Sequence, residues 1–152
     1  MKTLQKGFTL VELIVVIVIL GILAATALPR YVNVATEARI AAMNAVAGGM
    51  RSAVALAQSR YLATGNMTAT TVTMGIGPSL ATVNVAAGNG IPISAPAGIQ
   101  AAMQATDGFT FTCRGGGCTL TQTGGPAACA VNYNGTTGAV NTVALTTANC
   151  GG

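Results

Sequence analysis

The chain contains no histidine and no tryptophan among its 152 residues. Without histidine the commonest zinc and haem ligand sets are out of reach, and so is any arrangement in which an imidazole activates a nucleophile. Charge is also scarce: 7% of residues are charged, and the only acids are Glu12, Glu37 and Asp107. Two acids outside the apolar N-terminal run make no acid–base pair beside a nucleophile, so an enzyme is not expected, and neither a cofactor nor a metal is assigned. Low charge with 20 glycines fits neither an ordinary cytosolic enzyme nor a charge-rich disordered chain. Arg30, Arg39, Arg51 and Arg60 are spaced widely along one segment and form no dense basic patch, so no nucleic acid partner is expected.

Cys113, Cys118, Cys129 and Cys150 all fall in the last 40 residues. They include no C-x-x-C pair, which argues against a thiolate metal site. An even number in one region, behind an export-type segment, reads as two disulfides in an oxidising compartment. Four cysteines allow three pairings. The preferred one joins Cys113 to Cys118 across a hairpin mouth and Cys129 to Cys150 to tie the C-terminal end back. The second bridge would close a loop of about 20 residues and stabilise by roughly 3 kcal/mol. A small region in a chain with 4% aromatics needs such staples.

The N-terminal run is apolar from Phe8 to Leu28 apart from Thr9, Glu12, Gly21 and Thr26. As a helix it would be about 32 Å long, close to a hydrocarbon core of about 30 Å. Lys2 and Lys6 precede it, so the short leader should stay cytoplasmic and the body face outward. A carboxylate at the centre of a membrane helix costs roughly 2.5–3.5 kcal/mol, so Glu12 requires a partner. An ordinary secretory signal would explain the basic start and the apolar run, with Ala24-Ala-Thr-Ala27 as its cleavage site. Glu12 is out of place in such a segment, and the helical pattern continues beyond Pro29.

Lys6-Gly7-Phe8-Thr9-Leu10-Val11-Glu12-Leu13 resembles the processing motif of type IV prepilins and the related pseudopilins, and the likeness extends through Gly21, Pro29 and the long helix that follows. The resemblance implies a leader, 1–7, removed between Gly7 and Phe8 by a membrane prepilin peptidase that also methylates the Phe8 amine. It implies a transmembrane and filament-core helix over 8–29, held in the inner membrane as a precursor. The pilus assembly machinery, with its cytoplasmic ATPase, would then build a homo-oligomeric helical filament outside the cell. Cleavage would create a charged amine one helical turn from Glu12, and the family precedent pairs that amine with Glu12 of a neighbouring subunit, setting the stagger. Gly21 and Pro29 would bracket a stretch able to unwind in the fibre; in a helix they cost about 1 and about 3 kcal/mol. The Cys113–Cys118 hairpin resembles pilins close to the mannose-sensitive haemagglutinin type, and the Cys129–Cys150 loop would border a surface-exposed region, often adhesive in the family. The alternative is a pseudopilin of a type II secretion system, which shares the leader, Glu12 and the helix.

Over 30–64 the pattern becomes amphipathic. Ile40, Met43, Ala47, Met50, Val54, Ala57 and Tyr61 recur at alternating spacings of three and four, one stripe on a helix. From Phe8 to Ala63 that helix would be roughly 84 Å long. Gly48 and Gly49 are expected to pack closely against a globular head at 65–152. In that head, 65–107 reads as a loose connector, with a strand at 81–85 and a short helix at 96–104. The remainder, 108–152, reads as an antiparallel sheet with strands at 109–113, 118–122, 128–134 and 139–146. Arg114 to Gly117 is expected to form a four-residue turn. The expected class is α+β: a long N-terminal helix, half membrane and half amphipathic, packed on a small antiparallel sheet with two disulfides. Asn66-Met-Thr68 and Asn134-Gly-Thr136 match the glycosylation sequon, but no glycan is expected on them.

Overall fold

The computed structural model describes residues 8–75, 81–103 and 106–151, with 28–33 described by backbone alone. One helix, α1 (Leu10–Thr64), runs for 55 residues, about 82 Å at the usual rise. It ends where expected. Gly65 takes a left-handed conformation (φ 66°) and donates its amide to the Leu62 carbonyl at 3.1 Å. The helix is continuous through Gly21, Pro29 and Gly48-Gly49.

The apolar stripe lies where its spacing puts it. Met43, Ala47, Met50, Val54, Ala57 and Tyr61 are buried, Ile40 is half-buried against them, and Thr36 extends the same row. A four-stranded antiparallel sheet covers the first part of this stripe. Its strands are β3 (Phe109–Arg114), β4 (Gly117–Gln122), β5 (Ala130–Asn134) and β6 (Val140–Asn141), in that spatial order. Alternation along each strand sends Phe109, Phe111, Leu120, Val131 and Tyr133 inward to Met43, Ala47 and Met50. A second, two-stranded sheet, β1 (Thr71–Met74) and β2 (Ala81–Asn84), covers the far end. There Val72, Val83 and Val85 pack on Ala53, Ala57 and Tyr61. Both expected disulfides form, Cys113–Cys118 between paired positions of β3 and β4, and Cys129–Cys150 from the residue just before β5 to the end of α2 (Thr147–Cys150).

Several details differ from expectation. The β3–β4 turn is tighter: Arg114 pairs with Gly117, leaving Gly115 and Gly116, both at positive φ, as a two-residue turn. The strand expected over 128–134 begins at Ala130. The strand expected over 139–146 is confined to Val140–Asn141. Local side chains compete for the backbone beyond it: Asn141 accepts from the Val143 amide at 2.8 Å, and Thr146 accepts from Asn149 at 3.2 Å, capping α2. The helix expected over 96–104 is a wide turn at Pro96–Gln100 interrupted at Gly98, and Gln104 lies outside the described residues. Gly98 is required by close approach, since a β-carbon there would sit 2.1 Å from the Ile93 carbonyl oxygen.

The connector is tied down by Tyr61. Its hydroxyl donates to the Met67 carbonyl and accepts from the Gly88 amide at 2.7 Å. Gly48 and Gly49 do not pack against the head. Both are exposed, and a β-carbon on either would meet nothing within 4 Å. Ala47 and Met50 hold the buried face, so the intervening two positions turn outward. Gly48→Ala and Gly49→Ala should therefore each stabilise the isolated chain by up to about 1 kcal/mol, whereas Gly98→Ala should cost about 1–3 kcal/mol. Thermal melts of the three variants in detergent check this ordering.

Tyr133 is buried under the sheet and donates its hydroxyl to the Pro92 carbonyl at 2.6 Å. Burial pushes its phenol from 10.0 up to about 12. The neutral form is the one the fold favours, so the contribution is complete below pH 10 and is lost as pH rises from 10 towards 12. Tyr133→Phe should cost about 1 kcal/mol near neutrality and remove that part of the alkaline loss. Denaturant titrations at neutral and alkaline pH would show it.

Candidate functional site

Every residue from Phe8 to Ala27 is exposed. Phe8 is 94% and Leu10 72% accessible, and the large apolar side chains between Val11 and Leu23 are all exposed. The stretch Leu10–Ala27 is long and apolar enough to cross a membrane, with a mean hydropathy of 2.8 and none of it buried. Val34–Thr64 meets the same criterion at 1.3, but a third of it is covered, so it serves as the core helix of the head. A helix that is apolar all round has to be surrounded by lipid or by other apolar helices.

Glu12 sits in the first turn of α1, three residues after the N-cap Thr9. The Thr9 hydroxyl accepts from the Glu12 amide at 3.2 Å. In return, the Thr9 amide and hydroxyl both donate to Glu12 Oε2 at 2.8 Å. This reciprocal capping box satisfies amides that the helix leaves open, and a carboxylate is favoured there by the positive end of the helix dipole. Both bonds fall on one oxygen. Glu12 Oε1 makes no hydrogen bond among the described residues. The structure thus gives the Glu12 carboxylate to Thr9 and not to Phe8.

Gly7 and the rest of 1–7 lie outside the described residues. Gly21 is inside the exposed part of α1, where a β-carbon would meet nothing within 4 Å, and Pro29 falls within the same helix. The four cysteines are remote from this end, as two disulfides in the head.

Residues 2–28 match a family model described as a prokaryotic N-terminal methylation motif. The N-terminal segment carries this methylation motif and is similar to type IV pilins. This segment is 48% identical over 54 residues to the type IV major fimbrial protein FimA of Dichelobacter nodosus, covering 36% of this chain and 35% of that one. It is 54% identical over 54 residues to the type IV major pilin protein PilE1 of Neisseria gonorrhoeae, covering 36% and 33%. A fimbrial protein of Neisseria meningitidis matches equally, with 32% of its length covered. The match thus spans about a third of the length of these curated relatives. No solved structure matches this chain.

Thr9 was legible as the first member of a Thr-x-x-Glu capping box, yet the motif reading, which assigns Gly7, Phe8 and Glu12, gives it no role. Arg39 and Arg51 carried no such signal. Arg39 Nη1 donates to the Cys150 carbonyl at 3.1 Å and Arg51 Nη2 to the Val140 carbonyl at 3.2 Å, fixing the head on α1. Their acceptors lie 111 and 89 residues away in sequence. Thr9→Ala should fray the start of α1 by about 1 kcal/mol and leave the head unchanged. Amide hydrogen exchange in detergent should rise at residues 10–12 and nowhere in the sheet.

Proposed function

We propose that this chain is a structural subunit of an extracellular type IV pilus, cleaved between Gly7 and Phe8, methylated on Phe8 and polymerised through its N-terminal helix. The observation that carries this reading is the exposed apolar segment of residues 8–27, helical from Leu10, joined to a methylation motif over 2–28. The matched relatives are pilus and fimbrial subunits. In this reading the inner membrane holds the helix before assembly, and neighbouring subunits hold it afterwards. No catalytic step by this chain is involved; the prepilin peptidase and the assembly machinery act on it. The paired-cysteine hairpin supports a place near the mannose-sensitive haemagglutinin type.

Assembly would use the free acceptor on Glu12. After cleavage, the Phe8 amine of one subunit meets Glu12 Oε1 of the next while Oε2 keeps its bonds to Thr9. Each charge then has a partner inside an apolar fibre core, where either alone would be costly. The uncleaved leader would occupy the docking position and hold the chain in the membrane. Gly21 and Pro29 would let the intervening turns open under packing, although the free chain is helical there.

Material sheared from cells should contain this chain at the mass of Phe8–Gly152 plus one methyl group and minus four hydrogens. Glu12→Ala should leave the head folded and the chain inserted, yet reduce sheared fibre by at least tenfold, because an unpaired buried charge costs roughly 3–5 kcal/mol. Glu12→Gln should be similarly deficient despite keeping an acceptor for Thr9. Normal fibre yield from Glu12→Ala would remove the register role. A processed chain that stays in the membrane fraction would favour a type II secretion pseudopilin.

A further inference from the structure

The face of the main sheet turned away from α1 carries no large apolar side chain. Strand register lines up Thr112, Thr119, Asn132 and Asn141 in one row across all four strands. At the usual strand spacing that row is about 14 Å long, the length of a short oligosaccharide. Beside it a groove of about 520 Å³ is lined by Arg114, the Gly115–Gly117 turn, Asn132, Asn134 and Asn141, among others. A second hollow of about 210 Å³ adjoins it, shares Arg114, Gly117 and Asn132, and adds Thr112 and Thr119.

The free hydrogen-bonding groups here are mostly donors. Asn132 Oδ1 is occupied by the Thr119 hydroxyl at 2.9 Å, and Asn141 Oδ1 by the Val143 amide at 2.8 Å. Asn134 Oδ1 takes the Thr136 and Thr137 amides at 2.8 and 3.2 Å. Each of these oxygens already accepts at least one bond, while the amide NH₂ groups of the exposed Asn132, Asn134 and Asn141 have no partners among the described residues. Arg114 is exposed, and its guanidinium makes no hydrogen bond or ion pair among the described residues. No carboxylate lines either hollow. A ligand that fits is elongated, rich in acceptors and anionic at one point. A single cation is too little for a nucleic acid backbone, which requires several.

We infer that this outer sheet face binds an acidic polysaccharide, with Arg114 holding a uronate carboxylate and the Thr112–Asn141 row taking the ring and hydroxyl oxygens. Arg suits this task because its planar fork meets a carboxylate with two parallel bonds. The inference is independent of filament formation, since all the groups belong to one chain.

The test is an amide NMR titration of the full chain in zwitterionic micelles. The probes are a hexamer of galacturonic acid, its fully methyl-esterified form and a twelve-nucleotide oligothymidylate. Saturable shifts at Thr119, Asn132 and Asn141 with the acidic hexamer are expected. Binding should be at least about tenfold weaker for the ester and for Arg114→Ala, the usual scale of a charge-assisted pair, and partly restored in Arg114→Lys. Unperturbed head resonances in each variant show that the sheet is intact. Absence of saturable shifts in these residues, equal binding of acid and ester, or an unaffected Arg114→Ala would overturn the proposal. So would oligothymidylate binding as tightly as the hexamer.

Discussion

One helix has to satisfy two different surroundings, and most of the structure follows from that. The stripe from Thr36 to Tyr61 is covered by the chain's own head. The stretch from Phe8 to Ala27, apolar apart from Thr9, Glu12, Gly21 and Thr26, is covered by nothing among the described residues. Burying an apolar side chain is worth roughly 1.5–3 kcal/mol, so a helix with this many uncovered residues has to sit among lipid or like helices. The head cannot extend to cover them, because its two small sheets are used up on the amphipathic half.

Covering only half the helix places demands on a small head. Its aromatic content is low, and the sheet is short-stranded. Two disulfides compensate, one closing the β3–β4 hairpin and one drawing α2 back to Cys129, just before β5. Arg39 and Arg51 add directional contacts to the carbonyls of Cys150 and Val140. Tyr61 and Tyr133 serve a parallel purpose at the two ends, each using its ring as core and its hydroxyl to hold a loop carbonyl, of Met67 and Pro92 respectively.

At the other end, the same carboxylate has two uses of different range. Glu12 caps its own helix through Thr9, which needs no other subunit. Because both of those bonds fall on one oxygen, the capping role does not compete with the pairing proposed between subunits. The charge is thereby oriented before assembly, and a fixed acceptor loses less freedom when it binds.

What could be read from the sequence alone was local or periodic. The motif from Lys6 to Leu13 is a run of adjacent residues, and the stripe repeats with the helix period. The alternation at Phe109–Cys113 and Cys118–Gln122 marks a hairpin whose cysteines face one another. These signals act within a few residues, so they survive without a fold. Tertiary structure decided the rest. Gly48 and Gly49 turned outward because Ala47 and Met50 already filled the buried face, a matter of helix phase against the sheet. Residues 142–146 left the sheet because Asn141 and Thr146 captured nearby amides. Arg39 and Arg51 found acceptors 111 and 89 residues away, and the row from Thr112 to Asn141 exists only through the register of four strands. Each of these depends on which distant segments meet, and no sequence neighbour of the residues involved carries that information.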